Sequence, residues 1–286
     1  MSAPPAGPPP AGPPPAGPRL WRDLRHFTAA RVALGRVGAA GLPTPAHLAF
    51  QAAHAAARDA VHAALDGPAL AADLAARGIA SVTVRSLAPD RRSYLLRPDL
   101  GRMLDPACLP ALDAVRAPGS VAFLLADGLS ALAVARHAPA LTAALIAGLG
   151  RAGIAAGPVV LAHQGRVALG DKVGAALGAA AIVVLIGERP GLSTADSLGA
   201  YLTWAPQPGR NDAERNCVSN IRPEGLDLPD AAAKLLWLIA AMCERRISGV
   251  GLKDEQPMAA RLAAGGHPEK PASRAADAFP RIGDSR

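Results

Sequence analysis

The stretch AIVVLIGERPGL, Ala181 to Leu192, decides the fold. Its first six residues are all apolar, and Ile and Val branch at Cβ, which suits extended backbone. A strand apolar on both faces belongs in a parallel sheet covered by helices. The run then stops at Gly187, Glu188, Arg189, Pro190 and Gly191. Glycine lets the chain turn and approach a ligand closely, and proline stiffens the turn. In open parallel sheets, ligands bind in the crevice beyond the carboxyl ends of the strands. Glu188 therefore stands where a fixed hydrogen-bond acceptor would meet a ligand, although spacing alone favours a solvated loop charge.

Working outward, residues 121–126 form a second apolar run, which stops at Asp127-Gly128. This turn resembles the one at Gly187, with Asp127 as a candidate acceptor, and the two suggest a shared binding face. Strands are expected at 158–162 and 201–204, and helices at 130–137, 139–151 and 172–177. The last helix, 229–246, places Leu235, Leu238, Ile239, Met242 and Cys243 at core-facing spacing. Arg245 and Arg246 in its final turn suit the negative end of the helix dipole. Strand, helix and strand in succession imply an α/β fold. Residues 106–253 are expected to form a Rossmann-like, mostly parallel sheet with helices on both faces.

Ahead of it, residues 19–105 read as a smaller, mainly helical region. Thr44-Pro45 offers a cap and a first-turn proline for a helix that Asp66-Gly67-Pro68 ends. A second helix is expected at 70–77, with strands at 81–86 and 93–96. Residues 1–18 repeat a Pro-Pro-Ala-Gly theme and read as a disordered arm, and 254–286 as a disordered tail.

The 286 residues carry a formal charge of +7, which raises the question of nucleic acid. Nucleic-acid binders cluster their cations and supply stacking aromatics. Here Arg is scattered and aromatics make up 3%, so no nucleic-acid partner is expected. Cys108, Cys217 and Cys243 stand far apart, which suits a reducing cytoplasm. The start of the chain lacks the plan of a signal peptide, and the longest apolar stretch, 173–187, is too short to span a bilayer. A soluble protein without membrane contact is expected.

The chain shows no self-sufficient catalytic set. Gly148-Leu149-Gly150-Arg151-Ala152-Gly153 fits the dinucleotide fingerprint in letters only. That fingerprint needs a strand before the glycines and a helix after them. Here the order is reversed, so a helix C-cap is the reading, and nicotinamide binding is rejected. His47 and His54, seven residues apart on one helix, lie about 10 Å apart along its axis, too far to share a metal ion. Ser130 lacks the glycine that a nucleophile elbow needs. Cys217 has no histidine near it and reads by default as a buried small hydrophobe. No catalytic residues and no metal site are expected in this chain.

Taken in order, the motifs resemble one family, the small subunit of ethanolamine ammonia-lyase. The landmarks are ARVALGR (30–36), YLLRPDLGR (94–102), ADGLS (126–130), GRVALGD (165–171), VVLIGERPGLSTADSL (183–198) and CVSNIRPEG (217–225). The resemblance spans about 24–251. It departs from the family at the Pro-rich arm and the tail. It implies conversion of ethanolamine to acetaldehyde and ammonia by radical chemistry. It also implies adenosylcobalamin held between this chain and a large subunit that binds the substrate, within a hetero-oligomer. By position in their motifs, Val167, Glu188 and Cys217 match the family's cofactor-binding residues. Glu188 would accept hydrogen bonds from the cofactor and Val167 would give apolar contact. Cys217 would give packing, backbone polarity or its thiol. The chain has no Asp-x-His-x-x-Gly turn, so the cofactor is expected to keep its own benzimidazole as lower ligand. Two rivals remain: an independent Rossmann-type oxidoreductase, and a non-catalytic partner that has lost the cofactor. The compartment is expected to be the cytoplasm, with enclosure in a bacterial microcompartment left open.

Overall fold

Among the described residues, six strands form one sheet in the order β1-β3-β2-β4-β5-β6. The strands are β1 (Ser81–Arg85), β2 (Val121–Ala126), β3 (Ala156–His163), β4 (Ala181–Gly187), β5 (Leu198–Trp204) and β6 (Arg215–Ile221). The structure is a computed structural model that describes residues 44–192 and 194–256. The Pro-rich arm, the ARVALGR motif and most of the tail lie outside the described residues. Strands β1 to β4 pair in parallel, whereas β5 and β6 join antiparallel, so the fold is mixed α/β. Strand β1 pairs with β3 and so brings the 81–85 segment into the same sheet.

Among the described residues, seven α-helices accompany the sheet: α1 (Thr44–His62), α2 (Gly67–Ala76), α3 (Arg91–Leu96), α4 (Leu109–Asp113), α5 (Ala131–Arg151), α6 (Leu169–Leu177) and α7 (Leu228–Arg245). Alternation along each strand sorts side chains into two cores. Phe123, Leu125, Val183, Leu185, Leu198, Ala200, Leu202 and Val218 face α2, α5 and α7. Leu124, Ala126, Val160, Ala162, Ile182, Val184 and Ile186 face α4 and α6. Every residue of β2 and β4 is buried, as the unbroken apolar runs foretold.

Several details differ from expectation; Asp66, expected to end α1, instead caps α2 by accepting the Ala69 N–H at 2.9 Å. Residues 93–96 form the end of a helix, not a strand: Asp90 caps α3 by accepting the Ser93 N–H at 2.7 Å. The helices expected at 130–137 and 139–151 are one continuous α5 with Pro139 inside. Proline costs the helix a hydrogen bond, but buried Ala138, Leu141 and Leu145 anchor the chain on both sides of it. Helix α6 begins at Leu169, ahead of the expected 172. Strand β6 was not foreseen at all.

Helix α5 is long and apolar enough to cross a membrane by composition, but its apolar face packs on the sheet and on α7. Gly148 and Gly150 sit in its last turn, Gly153 follows in a left-handed turn, and β3 comes next. The fingerprint glycines thus occupy the negative end of a helix dipole. Gly148 has a packing role instead, since a Cβ there would fall onto Leu236 of α7.

Candidate functional site

The carboxyl ends of β2 and β4 meet through their two turns. Leu129 donates its N–H to Gly187 O at 2.8 Å. A Cβ on Gly187 would fall onto Ser130 O, and one on Gly128 onto Gly187 O. Only glycines let the turns seat together, and Gly128 also needs its φ of +55°. Asp127 does not face this junction. Its carboxylate is 2% exposed and accepts the backbone N–H groups of Gln164 and Gly165.

Glu188 leaves β4 at this edge, half-buried, and is held from two sides. Its Oε2 accepts the Ser197 hydroxyl at 2.5 Å and the Asn220 N–H at 3.2 Å. Asn220 adopts a left-handed φ of +58°, and its carbonyl accepts the Leu226 N–H at 2.8 Å. Arg222 Nε donates to Asn220 Oδ1 at 3.0 Å, and Gly225 leaves room for the fold-back. The second half of CVSNIRPEG therefore aims one backbone donor at Glu188. Among the described residues, Oε1 of Glu188 has no hydrogen-bond partner.

Below Glu188, β5 and β6 carry Tyr201 and Cys217, with the buried Gly199 beside them, on the face of the sheet to which α6 packs. A Cβ on Gly199 would sit 3.0 Å from Glu188 Oε1, so the glycine keeps this floor flat. Tyr201 and Cys217 are paired in register and lie side by side. Burial raises the Tyr201 phenol above its ordinary pKa, and the nearby Cys217 and Glu188 add to this. The Cys217 thiol is also raised, first by burial and then by the Glu188 charge, with the Tyr201 hydroxyl opposing. It stays a thiol at neutral pH and is a poor nucleophile. Cys217 is solvent-exposed, which corrects the expectation of a buried small hydrophobe.

Helix α6 stands beside this floor. Gly170 allows it to lie against Val184, at 2.5 Å for a would-be Cβ, and Gly174 does the same against Pro206. Val167 lies in the turn that leads into α6, where its carbonyl accepts the Gly170 N–H at 3.0 Å. It is partly buried against the same core as Tyr201.

Glu188 and Cys217 are thus brought together through Tyr201 and Asn220, and Val167 reaches that side of the sheet from the turn before α6. Ser197, Gly199, Tyr201 and Asn220 were missed from sequence. The available signal was the alternation of Gly199 and Tyr201 with core residues Leu198, Ala200 and Leu202. Two hollows adjoin the patch. One of about 440 Å³ is lined by Gly191, Leu192, Asp196, Arg222 and Glu224, and one of about 260 Å³ by Cys217, Ser219 and Lys234. His47, His54 and His62 lie exposed on α1. Among the described residues no cluster of His, Cys, Asp or Glu could hold a metal ion.

Comparison with known proteins gives a consistent result. The family model for the ethanolamine ammonia-lyase light chain matches residues 18–253. A Bradyrhizobium diazoefficiens protein named ethanolamine ammonia-lyase small subunit is 57% identical over 235 residues, covering 82% of this chain and 90% of that one. Proteins of the same name from Rhodopseudomonas palustris and Azotobacter vinelandii are 54% and 53% identical. Those matches cover 85% and 87% of this chain, and 93% of each relative.

Proposed function

The chain belongs to the ethanolamine ammonia-lyase light-chain family, and on that premise we propose that it closes one side of an adenosylcobalamin site completed by a large subunit. The observation that carries this reading is the patch formed by Glu188, Gly199, Tyr201 and Cys217: a flat floor with one fixed acceptor at its rim. A corrin ring is broad and flat, with amide groups around its edge. Such a ligand fits a floor that carries a glycine and a carboxylate oxygen with no partner of its own. When bound, adenosylcobalamin supplies the radical chemistry that turns ethanolamine into acetaldehyde and ammonia.

This chain's residues bind and orient rather than make bonds. Glu188 Oε1 accepts an amide N–H, and Ser197 and Asn220 fix the carboxylate in advance, which lowers the ordering cost of binding. A carboxylate sealed under a large ligand without a donor would cost several kcal/mol, so Glu188 also selects for a donor at that point. Val167 gives an apolar shoulder, and the Tyr201–Cys217 pair keeps water from the floor. Neither neighbouring hollow encloses a molecule of that size, which suits a site with its second wall on another chain. The parallel part of the sheet, β1 to β4, reads as Rossmann-like, and the dispersed free thiols suit the cytoplasm. Ethanolamine binds the large subunit in this reading.

Reconstitution tests it. Alone, the chain should release no acetaldehyde from ethanolamine; with the family's large subunit and adenosylcobalamin it should. Deamination by the isolated chain, or by the complex without cobalamin, would contradict the reading.

A further inference from the structure

We infer that Asp127, with Tyr94 and Arg91, is a positioning residue for the 164–167 turn, so that a buried carboxylate governs cofactor affinity without touching the cofactor. The inference rests on the cofactor-wall reading above. Asp127 uses both oxygens on consecutive amides, Oδ2 on Gln164 N at 2.8 Å and Oδ1 on Gly165 N at 3.0 Å. Gln164 is held at a φ of +55°, a left-handed conformation that a non-glycine residue keeps only when its surroundings over-determine it.

The surroundings do so. The Tyr94 hydroxyl donates to Gly165 O at 3.2 Å, and Arg166 donates its backbone N–H to Gly101 O at 2.8 Å. The Arg166 guanidinium lies 4.2 Å from the Tyr94 ring centre and donates to Tyr94 O at 3.1 Å. Gly101 makes room for this stack, since a Cβ there would meet Arg166 Cγ at 2.8 Å. Arg91 lies over the Tyr94 ring and donates to Gly128 O at 2.8 Å and Gln164 Oε1 at 3.4 Å, which ties the turn after β2 to the turn after β3. Burial pushes the Asp127 carboxyl above its ordinary pKa, opposed by the two amides and by Arg91. Three motifs, YLLRPDLGR, ADGLS and GRVALGD, therefore converge on the few residues that present Val167. None of the clamping groups lies on the Glu188–Cys217 floor.

The test uses the assembled complex of this chain with the large subunit. Asp127→Asn keeps the size and removes the double acceptor. It should raise the cofactor KM about tenfold, the scale of a lost charged hydrogen bond, with kcat at saturating cofactor within about twofold. Hydrogen exchange at Gln164 and Gly165 should quicken while β2 and β4 stay protected. Should Asp127→Asn not fold, Tyr94→Phe removes only the hydroxyl and should raise the same KM by a smaller factor. Fast exchange with unchanged KM, or unchanged exchange, overturns the inference. Cyanocobalamin binding to the wild-type complex separates the two readings. If the wild type fails to bind it, the cofactor-wall reading falls; if the wild type binds it and the variants match, only the positioning role falls.

Discussion

Arg215 donates two parallel hydrogen bonds to Asp171, at 2.5 and 2.8 Å, with each side chain about 3% exposed. The pair joins the start of β6 to the first turn of α6. It therefore fixes the helix that follows Val167 against the strand that carries Cys217. Thr203 Oγ1 and Arg210 O accept two more guanidinium protons at 3.3 and 2.8 Å, and Asp212 Oδ1 takes the Nε proton at 3.5 Å, so the buried charge is fully engaged.

Asp171→Ala would leave the buried Arg215 with only the exposed Asp212 carboxylate, 3.5 Å from its Nε, as counter-charge. The expected loss is about 3–5 kcal/mol, the range for breaking a buried pair from one side. Denaturant unfolding measures it. A loss below about 1 kcal/mol, as for a surface pair, would show that the link contributes little to the fold.

Gly199→Ala adds one methyl 3.0 Å from Glu188 Oε1. The carboxylate has room to shift outward, so the fold should survive with a thermal midpoint lowered by only a few degrees. Cobalamin affinity of the assembled complex should fall about tenfold, near 1.4 kcal/mol. Unchanged affinity would show that the floor need not be flat.

Both tyrosines of the chain are shifted upward, Tyr94 to about 12, mainly by burial, with Arg166 opposing. An acid whose native pKa is raised keeps its proton in the folded state after the unfolded chain has lost it. The associated stability is whole below pH 10.0, the ordinary phenol value, and is lost as pH rises toward about 12. Ultraviolet titration should find no tyrosinate in the native protein at pH 10.0, and about half ionisation of each tyrosine once it is unfolded. A native tyrosine that titrates near pH 10.0 would refute the burial argument.

Cys217 is exposed in this chain, whereas Cys108 and Cys243 are half-buried. Alkylation of the isolated chain at mildly alkaline pH should therefore reach Cys217 first. In the complex with the large subunit and cobalamin, Cys217 should be protected while the other two change little. Equal labelling of Cys217 in both states would place this face outside the interface.

The sheet's centre was legible because β2 and β4 are apolar without interruption, and burial on both faces leaves that signature. Strand β6 was not, for a geometric reason. Its core residues Val218 and Ile221 are three apart, because the ladder shifts register there and Asn220 turns left-handed. That spacing hides the period of two on which a strand reading depends. In 93–96 the apolar letters suggested a strand, but the Asp90 cap outweighed them. The start of α6 was lost because Gly170 and Asp171 read as helix breakers. One is small to fit against Val184, and the other is spent on Arg215. Glu188 could be picked out from the glycines beside it, but Ser197, Gly199 and Asn220 could not. Their roles arise only when β5 and β6 fold back beside β4.

Cofactor capture by this chain rests on Glu188, and cobalamin binding by the assembled Glu188→Ala complex, measured beside its thermal unfolding, checks that role. We predict that affinity falls about tenfold or more while the unfolding temperature of the chain stays within a few degrees of wild type. Undiminished cobalamin affinity, or a loss of stability large enough to explain the weakened binding, would contradict the claim that this acid faces the cofactor.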